Sequence, residues 1–210
     1  MKTYLVMADD SPEVQDIIRR SSERFRRLNK VEGFIQPWHI SPPTWNDLHS
    51  PHWVKARVWS FIPSHVDRIV WLDSDCVPVA PMDPWPECPF AAVEDQAIGR
   101  WQDAVADKRL AMLDRYFNAG VWIATRETIP MFHAIQKMEP VGIHYEQGAF
   151  NLAVAEHFPD WYGLPKSHNF MGPEPMPANT VISHSAGKKI PETWQAIRNL
   201  LDQLERKERC

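Results

Sequence analysis

Two carboxylates one residue apart, Asp73 and Asp75, close the apolar run Arg68-Ile69-Val70-Trp71-Leu72. Such a run reads as a buried strand, and α/β proteins bind ligands just beyond the carboxyl ends of their strands. Hard oxygens paired there suit Mg²⁺ or Mn²⁺, which in turn suit phosphates. Asp-x-Asp alone is weak evidence. Turn chemistry at a strand end also favours aspartate, and the chain carries 27 acidic residues.

Further segments carry groups of complementary chemistry. Tyr116-Phe117-Asn118-Ala119-Gly120-Val121-Trp122-Ile123 puts a carboxamide and two small residues at the mouth of an apolar strand, where backbone can approach a ligand closely. Tyr145-Glu146-Gln147-Gly148-Ala149-Phe150-Asn151 places a carboxylate and a carboxamide at a helix start. Ile182-Ser183-His184-Ser185-Ala186-Gly187-Lys188-Lys189 offers an imidazole, a flexible glycine and two ammonium groups. Upstream, Lys55 and Arg57 are expected to face the same region. Each has a structural explanation too. Glu146 fits as favourable charge in a first helical turn, Asn118 as a turn residue, His184 as a core histidine, and Lys188-Lys189 as a solvated loop. Cys76 reads as a small apolar strand residue.

The elements that must position these groups alternate. Strands are expected at Tyr4–Ala8, Val31–Ile35, Arg68–Leu72, Phe90–Val93, Ala119–Ala124 and Thr180–Ser183. Ser11 and Pro12 open a helix whose Val14, Ile17, Ile18, Phe25 and Leu28 share one face, with Asn29 and Gly33 ending it. Its other face, with Arg19, Arg20, Arg24, Arg26 and Arg27, reads as solvated, or else as contact for a polyanion. Helices are expected at Val54–Phe61, Arg100–Leu113, Glu127–Lys137 and Glu146–His157, and from Pro191 with a Trp194, Ile197, Leu201, Leu204 stripe. The order predicts one α/β domain over residues 1–210 with a mostly parallel central sheet.

Bulk properties agree. The chain is 44% hydrophobic and 24% charged, with a formal net charge of −4, so nothing pulls it globally toward nucleic acid. No apolar run reaches the roughly 20 residues of a membrane span, and the N-terminus turns acidic too early for a signal peptide. Three scattered cysteines, Cys76, Cys88 and Cys210, form no disulfide framework or zinc spacing and predict free thiols in a cytoplasmic protein. Nineteen prolines predict stiff loops; of ten tryptophans, those in the loops (Trp38, Trp45, Trp53, Trp85) are expected to pack rather than stack on sugars. The first glycine is Gly33, so the first strand-to-helix turn has no glycine-rich phosphate cradle. That disfavours dinucleotide-binding Rossmann domains and P-loops.

Taken in order, Ala8-Asp9-Asp10, Lys55-Ala56-Arg57, Asp73-Ser74-Asp75, Phe117-Asn118-Ala119-Gly120-Val121, Glu146-Gln147-Gly148-Ala149-Phe150-Asn151 and His184-Ser185-Ala186-Gly187-Lys188 resemble the retaining glycosyltransferases of the GT-A fold typified by glycogenin and bacterial lipopolysaccharide galactosyltransferases. The matches run over residues 3–189. The resemblance implies a GT-A (Rossmann-like, nucleotide-diphospho-sugar transferase) fold and transfer of a hexose, glucose or galactose, from a UDP-sugar with Mn²⁺ (or Mg²⁺). Asp73, Asp75 and His184 would ligate the ion. Asp9, with Ala8 and Asp10, would hold the uracil; Lys55 or Arg57, with Ser74, would hold donor phosphate or sugar. Asn118 and Ala119 would contact the donor sugar, with Glu146 and Gln147 beside its anomeric carbon. Gly187 and Lys188 would close over the diphosphate. Two departures stand out: Glu146 where aspartate is usual, and Ile190 where the late lysine falls, leaving Lys188 and Lys189 as alternatives. A saccharide is the expected acceptor, ahead of a protein hydroxyl or a modified nucleobase.

Two rival functions fit some of the residues. Asp73-Ser74-Asp75-Cys76-Val77 matches the haloacid-dehalogenase phosphatase signature, but about 70 residues precede it and no later Asp-Asp pair follows an apolar strand. A non-catalytic nucleotide-sugar-binding module would keep the same groups without turnover.

Overall fold

The computed structural model describes residues 1–9, 11–37, 51–95, 98–144, 146–172, 175–185 and 191–209, with the side chains of 51–53 and 98–100 set aside. Its strands are β1 (Thr3–Val6), β2 (Gly33–Ile35), β3 (Arg68–Leu72), β4 (Cys76–Pro78), β5 (Phe90–Glu94), β6 (Phe117–Thr125), β7 (Tyr162–Leu164) and β8 (Ile182–His184). The helices are α1 (Gln15–Asn29), α2 (Ile98–Ala106), α3 (Lys108–Ala111), α4 (Ile129–Ile135), α5 (Glu146–His157) and α6 (Pro191–Arg209).

Six strands form the central sheet in the order β2-β1-β3-β6-β5-β7. All run one way except β6, which is antiparallel to both β3 and β5. The expected mostly parallel α/β sheet is therefore present. The reversal of β6 matters for function, because it brings the start of that strand to the edge where β3 and β5 end. Leu72 pairs with Val121, and Asp73 N–H donates to Gly120 O at 2.9 Å. Likewise the parallel register Val6–Trp71 carries Asp9 alongside Ser74.

Apolar side chains fill both faces of the sheet. On one lie Trp71, Trp122, Phe132 and Phe150, with the Trp71 and Trp122 rings stacked at 5.6 Å. On the other, Ile17, Ile18 and Phe25 of α1 meet Trp194, Ile197 and Leu201 of α6. The stripes expected on both helices are thus the buried ones. Trp85 packs edge-on against Phe25, as expected of a loop tryptophan; Trp38 and Trp45 lie outside the described residues, and the Trp53 side chain is not described.

Several boundaries differ from expectation. Helix α1 ends on Lys30 in the left-handed conformation (φ 53°), not at Gly33, which instead begins β2 against the Tyr4 ring. Pro51–Ser60 is 3-10 rather than α-helix. Asp107 interrupts the expected Arg100–Leu113 helix, its side chain accepting from Arg109 N–H and so starting α3 afresh. The arginine face of α1 also needs correction. Arg24 is buried, donating to Pro78 O (2.6 Å) and Val79 O (3.0 Å) and pairing with Glu208, while Arg20 meets Asp202 (2.6 Å) and Glu205 (2.8 Å). Arg27 also pairs with Glu208. This face docks α6 internally, which removes most of the charge a polyanion would need.

Candidate active site

The two-stranded ribbon of β4 and β8 builds the heart of the site. Cys76 pairs with His184 in register, so the residue before the strand, Asp75, falls beside the imidazole. Asp75 Oδ1 stands 3.2 Å from His184 Nε2, and both residues are buried. On its other side His184 Nδ1 is 2.7 Å from Asn169 Oδ1. Gly120 lies under the ring: a Cβ there would come within 2.3 Å of His184 Cε1. Asp75, Cys76 and His184 offer ligand atoms within 4.8 Å of one another. Burial, then the neighbouring Asp75, pushes the Cys76 thiol pKa well up, so it remains protonated and the carboxylate and imidazole are the better cation ligands. Burial works against charge on His184, yet Asp75 raises its pKa above the ordinary imidazole value. An electron-rich nitrogen facing a carboxylate calls for a positive charge between them, a proton or a metal ion.

Asp73 has a different environment. Its carboxylate receives Lys55 Nζ (2.9 Å) and Trp71 Nε1 (2.8 Å). Burial opposes its ionisation, but Lys55, His184 and the Trp71 hydrogen bond outweigh it and hold the pKa at about 2. Lys55 is buried and also reaches Glu146 Oε1 and Ala119 O, each at 3.2 Å. It links β3, β6 and α5 around one ammonium, whose pKa these carboxylates raise despite burial. Arg57 is half-buried on the same 3-10 segment.

Gln147 and Asn118, each expected near a donor sugar, are joined directly. Gln147 Oε1 accepts from Ala119 N–H (3.0 Å) and from Asn118 Nδ2 (3.2 Å). Asn151, one turn along α5, pins the start of β6 by accepting from Phe117 N–H (2.8 Å) and donating to Phe117 O (2.9 Å). Gln147 Nε2 lies 3.2 Å from Tyr116 Oη and 3.5 Å from Asp95 Oδ2. Tyr116 in turn donates to the buried Asp103. Burial raises the Tyr116 pKa and the Asp103 bond adds to it, so the hydroxyl keeps its proton.

Asp9, buried at the end of β1, accepts from Ser74 Oγ (2.8 Å) and Ser11 N–H (3.0 Å). Ala8 beside it is partly buried on the core. Asp10, Gly187 and Lys188 lie outside the described residues, as does Lys189. One sheet edge thus gathers Asp9, Lys55, Asp73, Ser74, Asp75, Asn118, Ala119, Glu146, Gln147 and His184. Sequence reasoning missed Asn169, Tyr116 and Asp103 as site residues. Asn169 and Asp103 belong to no motif, and Tyr116, though it opens the Tyr116–Ile123 segment, shows its role only through tertiary pairing with Asp103 and Gln147.

No protein-family model matches the chain, and no curated protein matches it in sequence. Solved structures do match. A glycosyltransferase involved in glycosylation of the major capsid of PBCV-1 superposes with a TM-score of 0.65 at 14% identity, covering 95% of this chain and 100% of that one. The galactosyltransferase LgtC, in complex with donor and acceptor sugar analogs, gives 0.61 at 12% identity over 97% and 96% of the two chains. The bifunctional glycosyltransferase WbbM gives 0.63 at 11% identity, over 95% of this chain and 49% of that one. The chain shares the GT-A fold of these glycosyltransferases.

Proposed function

We propose that the protein is a metal-dependent, retaining hexosyltransferase, working as a single domain, that moves glucose or galactose from a UDP-sugar to a hydroxyl acceptor, a saccharide first among the candidates. The observation that carries this is the convergence of three groupings at one edge of a GT-A sheet. They are a buried carboxylate–imidazole pair, the Asn118–Gln147 amides, and the Asp9–Ser74 pair. The neighbouring structures support it. All three are of glycosyltransferases, and another LgtC structure carries an active-site substitution of glutamate for glutamine, so a glutamine serves that enzyme's site too.

Asp75 and His184, whose ligand atoms lie within 4.8 Å of each other, fit a divalent ion. Asp73, the third ligand that the resemblance implies, is outside that cluster, its carboxylate held by Lys55 and Trp71, and would have to turn from them to join the ion; a nitrogen among oxygens favours Mn²⁺ over Mg²⁺. When bound, the ion would neutralise charge gathering on the departing diphosphate. The protein's own residues do the rest. Asp9 offers a carboxylate to the uracil, and Lys55 fixes Asp73 and Glu146 in their places. Gln147, a carboxamide, accepts no proton at neutral pH. A sugar held against it would meet an amide rather than a base, which favours same-face transfer and an α-linked product from an α-linked donor; Asp95, 3.5 Å from Gln147 Nε2, is the carboxylate that an inverting reaction would call on. Gly187 and Lys188 are assigned to closing over the diphosphate from the sequence resemblance. Among the described residues, no helix is long and apolar enough to cross a membrane. Cys76 and Cys88 are free thiols, in keeping with a cytoplasmic setting.

The test is a UDP-sugar panel, followed by thermal shift and by UDP release, with and without Mn²⁺. A ligand that binds only the folded state raises its apparent stability. One UDP-hexose should stabilise the protein only with Mn²⁺, and Asp75→Ala should abolish that while leaving the fold intact. Hydrolysis of a generic phosphate ester without UDP-sugar binding would replace this reading with a phosphatase. Binding without UDP release would leave a non-catalytic module. A β-linked product, read by NMR, would rule out retention.

A further inference from the structure

Hydrogen-bond polarity in the site can be assigned from the backbone outward. A peptide N–H can only donate, so Gly120 N–H, 2.9 Å from Asn118 Oδ1, identifies that atom as the acceptor end of the amide. Asn118 Nδ2 is then the donor to Gln147 Oε1. Asn118 Oδ1 has a second lone pair, and Asn169 Nδ2 occupies it at 3.0 Å. The Asn169 carbonyl is left facing His184 Nδ1 at 2.7 Å, where it must accept. The ring proton therefore sits on Nδ1, and Nε2 is the atom presented to Asp75.

Asn169 reaches this position through the backbone. Phe170 N–H donates to Ile182 O and His184 N–H to Phe170 O, both at 2.9 Å, forming a parallel bridge between Phe170 and Ser183. The residue before the bridge is delivered under the imidazole, and it is buried there. A carboxamide suits the place because one planar group supplies an acceptor to histidine and a donor to Asn118.

We propose that Asn169 is a positioning residue, which presents His184 Nε2 to a divalent cation and ties that ring, through Asn118, to Gln147. The proposal rests on the functional reading above and adds to it a residue that no motif contains. It predicts that the two arms of Asn169 separate under substitution. Asn169→Asp keeps an acceptor for His184 but sets a second oxygen against Asn118 Oδ1. Asn169→Ala loses both bonds.

The test combines three measurements on the full chain. Free Mn²⁺ is titrated by EPR in the presence of UDP. UDP-hexose hydrolysis is followed at saturating Mn²⁺. The His184 ring N–H is observed in metal-free, ¹⁵N-histidine-labelled protein. Asn169→Ala should weaken Mn²⁺ about 10- to 100-fold, the usual effect of removing a ligand's outer partner, and should lose the slowly exchanging Nδ1–H. Asn169→Asp should keep that resonance and bind Mn²⁺ within about threefold of wild type, while hydrolysis falls about tenfold as the Asn118–Gln147 arm is disturbed. Wild-type values in both variants would overturn the proposal, and so would equal losses of affinity and rate in both, which would make Asn169 a packing residue. If Asn169→Ala fails to fold, the Asn169→Asp split alone decides. Should wild-type protein bind no Mn²⁺ with UDP, the functional reading falls, and the metal-free Nδ1–H signal still decides whether Asn169 orients His184.

Discussion

Lys55→Met should cost this protein more stability than most single changes. The ammonium sits 2.9 Å from Asp73 and 3.2 Å from Glu146, with both Lys55 and Glu146 buried. At an effective dielectric constant of about 20, a contact near 3 Å is worth about 5 kcal/mol of Coulomb energy before the cost of burying the charges. That cost cancels much of the gain when the network is intact. It does not cancel when the cation is removed, because two carboxylates then remain without it. Breaking a buried pair from one side costs about 3–5 kcal/mol. For a chain of this size that is a fall in Tm of about 6–20 °C. Methionine fills nearly the same volume, so little of the loss belongs to a cavity. Urea denaturation followed by tryptophan fluorescence at neutral pH measures it, and an unchanged m-value shows that the same surface unfolds. A loss below about 1 kcal/mol would mean that these charges behave like an exposed surface pair, and that Lys55 does not organise the site.

Gly120→Ala should destabilise the fold by about 1–3 kcal/mol and displace His184, since the added Cβ meets its Cε1 at 2.3 Å; wild-type stability in a melt would show that the ring gives way freely. Asp9→Ala should raise the donor KM about tenfold, the worth of one hydrogen bond to a charged group, and blur discrimination among nucleotide bases; unchanged UDP affinity by calorimetry would remove Asp9 from the uracil. Burial raises the Asp95 pKa. Below the unfolded carboxylate value of about 3.9 both states are protonated; as pH rises through the higher folded value, ionisation penalises the folded state alone. Asp95→Asn should therefore be more stable than wild type at pH 7 and level with it near pH 3, and the opposite trend in pH-dependent unfolding would refute that.

The legible part of the fold was whatever local physics determines. The apolar stripe on α1, the Trp194–Leu204 stripe on α6 and the start of α5 at Glu146 all follow from periodicity and first-turn chemistry, and all are present. Strands β4 (Cys76–Pro78) and β7 (Tyr162–Leu164) lie outside every expected strand. Yet β4 is what sets Asp75 against His184. The arginines of α1 were misread for a related reason. Spacing shows that they share a face, but the acidic partner face of α6 is met only in three dimensions. In the site, residues with distinctive chemistry at strand ends were visible. Asn169 and Asp103, one ending the short 3-10 turn Lys166–Asn169 and one inside helix α2, differ locally in nothing from solvated polar residues.

The same polarity that orients Asn169 also limits what Gln147 can do. Its carbonyl is engaged by Ala119 N–H and Asn118 Nδ2, and its Nε2 meets a Tyr116 oxygen whose own proton goes to Asp103. Each end of the amide is thus assigned by a group that cannot reverse: a peptide N–H on one side, a carboxylate on the other. Rotating the amide by half a turn would set two donors together and two acceptors together, at a cost of more than one hydrogen bond. Gln147 is consequently a rigid dipole rather than an adaptable one. A preorganised dipole stabilises charge developing beside it without having to reorient during the reaction. Under the function proposed above, a glutamine held this firmly would serve a sugar cation leaving a diphosphate in that way, without acting as a base.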